Sequence, residues 1–175
     1  PIADYAVPVA DPRLTPSLTS LDLLLGTDQF GRSILARVIH GGQVSLMIGV
    51  VAAGVGAAIG TVLGLVSGYF GRWVDTVIMP LTDTVLAFPP LILLLALSAM
   101  LRPSIQTLLI GLTLLVVPTF VRLTRASAIQ WSTRDFVKAA VSLGAHTPRI
   151  MVREVLPNVV PVIAAYLPVV IAGLI

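Results

Sequence analysis

The side chains best able to do chemistry in this very apolar chain lie together in residues 132–157. They comprise acidic, basic and imidazole groups, in the order Arg134, Asp135, Lys138, His146, Arg149, Arg153 and Glu154. Such groups could serve acid–base chemistry, bind a metal ion, or contact a charged partner. Apolar segments long enough to enter a bilayer lie on either side. The interval is therefore predicted to lie across the mouth of a membrane bundle.

The sequence patterns of several enzyme classes are missing. The only lysine, Lys138, follows Val137 rather than the glycine of a phosphate-binding loop, so the chain is not expected to hydrolyse ATP alone. No G-x-S-x-G motif or Ser/His/Asp set is present. The two histidines, His40 and His146, are predicted to lie on opposite sides of a membrane, which favours ordinary polar roles over metal binding. We therefore expect no catalytic residue, no metal site and no cofactor on this chain.

The composition is that of a membrane protein. Of 175 residues, 57% are hydrophobic and 11% are charged, whereas a soluble domain has about 25% charged residues. The net charge of +3 could indicate nucleic-acid binding. However, the basic residues lie at the ends of apolar segments and not in a patch with aromatic residues, so membrane topology explains them better. The absence of cysteine excludes disulfides and thiol chemistry.

The first part of the chain, residues 1–43, is predicted to be an extracytoplasmic lead-in. Its first twenty residues are rich in proline, aspartate and threonine and indicate irregular structure. Residues 21–42 are predicted to contain an amphipathic helix at the membrane interface, which Thr27 or Asp28 would cap and Gly41-Gly42 would end. Asp28 and Arg32 are spaced to form an ion pair.

The remainder, residues 44–175, is predicted to be an all-α polytopic bundle with about four spans. These are residues 44–68, residues 81–101 with a break near Pro89-Pro90, residues 105–121 with a kink at Pro118, and residues 156–175. Residues 69–83 are expected to connect the first two. Small residues recur every fourth position in the first span, which predicts a close helix-packing face: Ala52, Gly56, Gly60, Gly64 and Gly68.

The distribution of basic residues predicts the topology. Residues 122–153 hold most of the basic side chains, whereas the turn at Arg102 holds one, and basic loops remain in the cytoplasm. The polar interval is therefore expected to be cytoplasmic, as are residues 69–83, with Arg102 outside. Asp83 is the main acidic residue at a span, and its place near a helix end favours snorkelling or capping over ion transport.

Within residues 132–157 the sequence predicts two short helices joined by a glycine bend. Ser132 and Asp135 resemble a capping box, Gly144 would end the first helix, and Thr147-Pro148 would begin the second. Arg134, Lys138 and Ser142 are predicted to form one polar stripe. The opposite face would carry Phe136, Ala139, Ala140 and Leu143. A solvated loop that only joins two spans is the alternative interpretation.

Part of this interval resembles the EAA loop of ABC importer permeases. The resemblance lies in the segments Lys138-Ala139-Ala140, Gly144 and Leu156-Pro157. The chain departs from that pattern at Lys138, where the family usually has glutamate, and at Glu154, where it usually has an aliphatic residue. In the family this loop is a coupling helix that docks on a separate ATPase subunit. The resemblance implies that the coupling residues here are Asp135, Phe136, Lys138, Ala139, Ala140 and Gly144.

A second region, Gly26-Thr27-Asp28 with Gly31-Arg32 and Arg37, is similar to the dipeptide/oligopeptide branch of these permeases. Ser33 stands where that branch has aspartate. The resemblance implies a type I ABC importer bundle in the bacterial inner membrane, with one further span before and one after the segment. It also implies a homologous second permease, two ATPase subunits that bind ATP and Mg²⁺, and an extracytoplasmic binding protein.

The resemblance leaves the substrate open. Peptides are favoured, and nickel and glutathione importers of the same branch are alternatives. An ion-coupled secondary transporter is a candidate from a different class. It would be expected to place acids or histidines near the membrane midplane, or to show inverted repeats, and neither is evident in the sequence.

Overall fold

The computed structural model describes residues 4–175, which form two compact units. The first unit extends to Met47 and the second comprises Ile48–Ile175. Helices dominate the second unit, whereas the described part of the first contains turns and two isolated β-bridges, Pro8 to Arg32 and Thr27 to Ser33. The all-α fold class is confirmed.

The first unit is a set of turns held by side chains, with one 3₁₀ turn at Leu21–Leu23. The hydroxyl of Thr27 donates to the carbonyl of Asp11 at 2.7 Å, and accepts from the amide of Leu14 at 2.8 Å. The hydroxyl of Ser33 donates to the carbonyl of Asp22 at 2.7 Å. In this irregular segment, side-chain hydroxyls thus bond backbone amide and carbonyl groups that a helix or sheet would otherwise pair.

The predicted interfacial helix over residues 21–42 is wrong. Helix α1 begins only at Ile34, because Thr27 binds the preceding loop and Asp28 binds the turn that follows. Gly41 and Gly42 do not end it; they lie inside α1, which continues to Phe70. An interior glycine costs a helix only about 1 kcal/mol, which a long apolar helix can absorb.

Asp28 is the electrostatic centre of the first unit. Its carboxylate accepts from the amides of Phe30 and Arg32, and it forms ion pairs with the guanidinium groups of Arg32, at 2.9 Å, and Arg37. Desolvation acts to raise the pKa of Asp28, but these hydrogen bonds together outweigh it and lower the pKa to about 2. The predicted Asp28–Arg32 pair is therefore present, although in a turn and not on a helix face.

Helix α2, Arg72–Ala87, follows α1 after a single residue, Gly71. The predicted connection over residues 69–83 is therefore wrong. Gly71 has φ +58° and Arg72 φ +40°, so the chain reverses in two residues with left-handed backbone, a conformation that glycine adopts readily.

Helix α3, Pro90–Met100, meets α2 at an angle of 90°. The break falls at the predicted Pro89-Pro90, because a residue before proline avoids helical backbone: Phe88 and Pro89 both have ψ of 131°. The bent pair of α2 and α3 takes the place of the predicted second span, and α2 begins earlier than the predicted residue 81.

Helix α4, Ile105–Ser132, is longer than the predicted span over residues 105–121. Ser104 caps it by accepting from the amide of Thr107 at 3.1 Å. Pro118 lies inside the helix without ending it. The helix continues through the polar residues after Val121 because its cations form ion pairs with α2, as described below.

Three further helices complete the chain: α5 at Asp135–Ser142, α6 at Thr147–Ile150 and α7 at Leu156–Leu174. A π-helical turn, Met151–Val155, joins α6 to α7. Pro157 cannot donate to the carbonyl of Arg153 and its ring crowds that carbonyl, so a wider turn relieves the clash. The side-chain amide of Asn158 donates to the carbonyl of Glu154 at 2.6 Å and satisfies one acceptor there.

Within residues 4–175, three helices are long and apolar enough to cross a membrane: α1, α4 and the continuous stretch Thr147–Leu174. The bent pair of α2 and α3 makes a fourth when it is counted as one span. This agrees with the predicted number of about four, although the bounds differ. Within the second unit, buried residues of α1, α4 and α7 form the core.

Candidate functional site

The candidate coupling helix is α5, which begins after Arg134 and not at Ser132. The hydroxyl of Ser132 donates to the carbonyl of Ile129 within α4, so the predicted capping box is wrong. Asp135 lies in the first turn of α5, where a carboxylate interacts favourably with the helix dipole. It also forms an exposed ion pair with Lys138 at 3.1 Å.

Gly144 ends α5 as the sequence predicts. Its φ is +76°, its amide donates to the carbonyl of Val141 at 2.9 Å, and the amide of Ala145 donates to that of Ala140 at 3.1 Å. These two bonds are a Schellman motif, which satisfies the last carbonyls of a helix by means of a left-handed residue. The bend that separates α5 from α6 is therefore fixed by backbone geometry.

The second short helix has a different start from the predicted one. Its N-cap is His146 and not Thr147, and no side chain supplies a capping hydrogen bond. Pro148 lies in the first turn, as predicted, where its missing N–H is not needed.

The buried face of α5 differs from the predicted one. Val137 is 3% exposed and is the buried residue of this helix, with Ala140 partly buried beside it. Phe136, Ala139 and Leu143, which the sequence places on the apolar face, are exposed. Because Val137 packs into the buried core, the inward face of α5 is centred on Val137. It is rotated by one residue from the predicted apolar face.

The outward side of α5 combines exposed apolar residues with the ion pair of Asp135 and Lys138. Leu143 is 88% exposed, and Phe136 and Val141 are exposed beside Lys138. The guanidinium of Arg134 lies 5.4 Å from the ring centroid of Trp131, and Phe136 lies 6.3 Å from the same ring. Exposed apolar residues rimmed by polar ones are typical of a protein-interaction surface.

Val137 belongs to a buried cluster that joins α5 to five other elements of the second unit. The cluster contains Leu65 of α1, Ala128 of α4, Ile150 of α6 and residues of the π-helical turn and α7: Met151, Val155 and Val159. Because α5 contacts this cluster through Val137, a displacement of α5 would act directly on the packing between the spans. We call this group the coupling cluster.

The small residues of α1 lie against α4. An added Cβ at Gly60 would lie 2.6 Å from the Cβ of Phe120, and one at Gly64 would lie 2.5 Å from the carbonyl oxygen of Val121. Gly56 and Gly68 are equally close to α4, and Ala52 is fully buried. These distances are well below van der Waals contact, so only glycine permits this approach.

A second polar site, which the sequence analysis missed, joins α2 to α4. The guanidinium of Arg125 binds both carboxylate oxygens of Asp75, and its Nη2 lies 2.6 Å from Oδ2. The hydroxyl of Ser67 on α1 donates to Oδ1 of Asp75 at 2.6 Å. Ser67 is fully buried, and the side chains of Asp75 and Arg125 are 24% and 31% exposed. The only signal in the sequence was that both charges were predicted to lie at the cytoplasmic ends of spans.

Asp83 has a similar partner in a more open setting. Its carboxylate accepts from Nη2 of Arg122 at 2.7 Å, and both side chains are about half exposed. The sequence suggested that Asp83 snorkels or caps a helix, whereas the structure shows a second ion pair between α2 and α4.

Over residues 4–175 no three histidine, cysteine or acidic side chains come together as metal ligands. The ring of His40 stacks on Tyr5, with centroids 3.8 Å apart. His146 precedes α6 and is exposed.

Residues 60–175 match the sequence model of the family described as "Binding-protein-dependent transport system inner membrane component". The matched range covers the end of α1, from residue 60, and all of α2 to α7, including the coupling cluster and both ion pairs between α2 and α4.

Three curated relatives illustrate the similarity. The dipeptide transport system permease protein DppC of Alkalihalophilus pseudofirmus is 41% identical over 76% of this chain and 44% of its own length. That of Haemophilus influenzae is 38% identical over 77% of this chain and 46% of its own. The glutathione transport system permease protein GsiD of Escherichia coli is 38% identical over 84% of this chain and 48% of its own.

The chain thus spans about half the length of the curated relatives it matches. The family match, the identity to these permeases and the apolar helices agree with one another. The chain therefore belongs to the family of binding-protein-dependent transport system inner membrane components, the permeases of ABC importers, and is a multi-pass protein of the bacterial inner membrane.

Proposed function

We propose that the chain is part of a permease subunit of an ATP-driven importer of short peptides. In this proposal it forms half of the translocation path with a homologous second permease. Two ATPase subunits bind ATP and Mg²⁺ on the cytoplasmic side, and an extracytoplasmic binding protein delivers the substrate. The chain itself performs no hydrolysis, and works by changing conformation when its partners do.

The observation that carries the proposal is that α5 has one exposed face and one face packed on the spans. Its outward face presents Phe136, Lys138, Ala139 and the exposed Leu143, while Val137 on its inward face belongs to the coupling cluster. A rigid helix with one face available to a partner and the other packed on the spans is suited to transmit movement between them.

In the proposed mechanism, the coupling residues Asp135, Phe136, Lys138, Ala139, Ala140 and Gly144 dock α5 on an ATPase subunit. Closure of the ATPases on ATP displaces α5. The displacement passes through the coupling cluster to α1, α4 and α7, and the bundle changes from inward-open to outward-open. Gly144 keeps the bend rigid, so that α5 moves as one body with α6.

Short peptides are the proposed cargo because the relatives are named for dipeptides and for glutathione, which is itself a tripeptide. Nickel remains the alternative within the same branch. An ion-coupled transporter is less well supported, because the acid that would be tested first, Asp83, forms an ion pair with Arg122.

The test is reconstitution of the full-length protein with its second permease, ATPases and binding protein in liposomes. We expect uptake of a labelled dipeptide that requires ATP and the binding protein, with glutathione and Ni²⁺ as parallel substrates. Phe136→Ala should reduce ATP-dependent uptake, whereas Phe30→Ala, which removes another exposed aromatic residue in the lead-in, should not. Uptake that follows a proton gradient without ATP would contradict the proposal.

A further inference from the structure

The ion pair between Asp75 and Arg125 has the geometry of a rigid connection. Two parallel hydrogen bonds join the guanidinium to the carboxylate, and the hydroxyl of Ser67 holds a third position on Asp75. Bidentate pairing fixes both distance and orientation, which a single contact between two charges does not. Helices α1, α2 and α4 are therefore tied together at one point.

This point adjoins the coupling cluster. Ala128, a member of that cluster, follows Arg125 by one turn of α4, and Leu65, another member, precedes Ser67 on α1. Gly68 lets the two helices meet here, because an added Cβ would lie 2.7 Å from the carbonyl oxygen of Arg125. A shift of the coupling cluster would therefore displace Arg125 before it displaced α2.

Helix α2 has few other means of following such a movement. It is not represented in either buried core cluster, and Thr82 is the one buried residue of the helix. It is joined to α1 by the two-residue reversal at Gly71 and Arg72, and it continues into α3 across the break at Pro89-Pro90. The ion pairs with α4 are thus a lateral attachment of α2 that fixes both distance and orientation.

From these observations, and resting on the proposed function, we propose that Asp75, Arg125 and Ser67 are positioning residues for transport. They make the bent span of α2 and α3 move with the coupling helix. In this account Asp75 and Arg125 touch neither substrate nor nucleotide. They determine whether ATP hydrolysis by the partner subunits is converted into movement of α2 and α3.

The pair of Asp83 and Arg122 provides a matched control. It joins the same two helices through one hydrogen bond at 2.7 Å, with both side chains about half exposed. Exposed pairs of this kind contribute little to the free energy of a fold. Removing the charge of Asp83 tests whether loss of either ion pair between α2 and α4 impairs transport, or only loss of the Asp75–Arg125 pair.

The experiment measures substrate transported per ATP hydrolysed by the reconstituted transporter, in wild type, Asp75→Asn, Arg125→Lys and Asp83→Asn. Arg125→Lys keeps the charge but loses the two parallel bonds. We expect both changes at the Asp75–Arg125 pair to lower the ratio by at least about fivefold, the lower end of typical coupling between sites. ATP hydrolysis should continue, and Asp83→Asn should leave the ratio within about twofold of wild type.

The wild-type transporter separates the two proposals: if it fails to transport with ATP, the proposed function fails independently of Asp75. If wild type transports and Asp75→Asn retains its ratio, the positioning role is refuted. Loss of subunit assembly in both Asp75→Asn and Asp75→Glu would assign the pair to folding alone and would also refute it. Full transport in Arg125→Lys would show that charge is sufficient and that the rigid connection is not used.

Discussion

The contact between α1 and α4 gives a sharp prediction for Gly60→Ala. A Cβ at this position would lie 2.6 Å from the Cβ of Phe120, 2.8 Å from the carbonyl oxygen of Val117 and 3.0 Å from the amide of Val121. Two of these three atoms are backbone, so no change of rotamer can relieve the clash. The helices must separate, or their backbones must shift.

The magnitude follows from two opposing effects. Carbon atoms in good contact are about 3.5–4.0 Å apart, so the separation needed is roughly 1 Å. Overpacking of this kind costs about 1–3 kcal/mol. Alanine recovers up to about 1 kcal/mol through its higher helix propensity. We therefore expect Gly60→Ala to lower the free energy of unfolding by about 1–2 kcal/mol.

Gly54 supplies the control on the same helix. No atom lies within 4 Å of the position its Cβ would occupy, so Gly54→Ala should be neutral or stabilising by up to about 1 kcal/mol. The assay is unfolding of the full-length protein by SDS in mild detergent micelles, followed by tryptophan fluorescence. If the two substitutions change the free energy of unfolding equally, the close contact at Gly60 does not stabilise the bundle.

Three further predictions test other parts of the structure. Because hydrogen bonding lowers the pKa of Asp28 to about 2 from 3.8, its contribution to stability should be present above about pH 4 and lost as the pH falls to about 2. Hydrogen exchange of the lead-in should thus separate Asp28→Asn from wild type at pH 6 and not at pH 2; a difference that persists at pH 2 would contradict this. Val137→Ala should weaken the packing of α5 on the coupling cluster and lower the free energy of unfolding by about 1–3 kcal/mol. Val141→Ala, at an exposed site, should change the free energy of unfolding by less than about 0.5 kcal/mol. Gly144→Val should cost more than Gly144→Asn in the same unfolding assay, because a β-branched residue tolerates φ of +76° poorly; equal costs would mean that the bend relaxes.

Much of the fold could be predicted because its signals are local. The break at Pro89-Pro90, the stop at Gly144 and the register of small residues from Ala52 to Gly68 each follow from the conformational limits of single residue types. The number of spans followed from apolar length. None of these inferences required knowledge of which residues lie on the neighbouring helix.

The incorrect predictions in the lead-in concern residue types that serve more than one kind of local structure. Asp28 was interpreted as a helix cap, but Arg37 and the turn amides surround its carboxylate. Gly41 and Gly42 looked like a stop, yet nothing lies near them and α1 continues.

The same limit applies to the candidate site. The face of α5 was misplaced because Val137 is buried by residues of α1, α4 and α7 that no local pattern in α5 specifies. The pair of Asp75 and Arg125 is fifty positions apart in the sequence, and only the packing of α2 against α4 brings it together.

The central claim, that α5 is a docking helix for an ATPase subunit, is best tested by cross-linking. The chain has no cysteine, so Leu143→Cys places a single thiol at an exposed position at the end of α5. Met100→Cys, almost equally exposed at the end of α3, is the control on the side predicted to be extracytoplasmic. We predict that a short thiol-directed cross-linker joins Leu143→Cys, and not Met100→Cys, to an ATPase subunit in the assembled transporter. If Leu143→Cys gives no such product while the ATPase is present in the complex, α5 is not the docking helix.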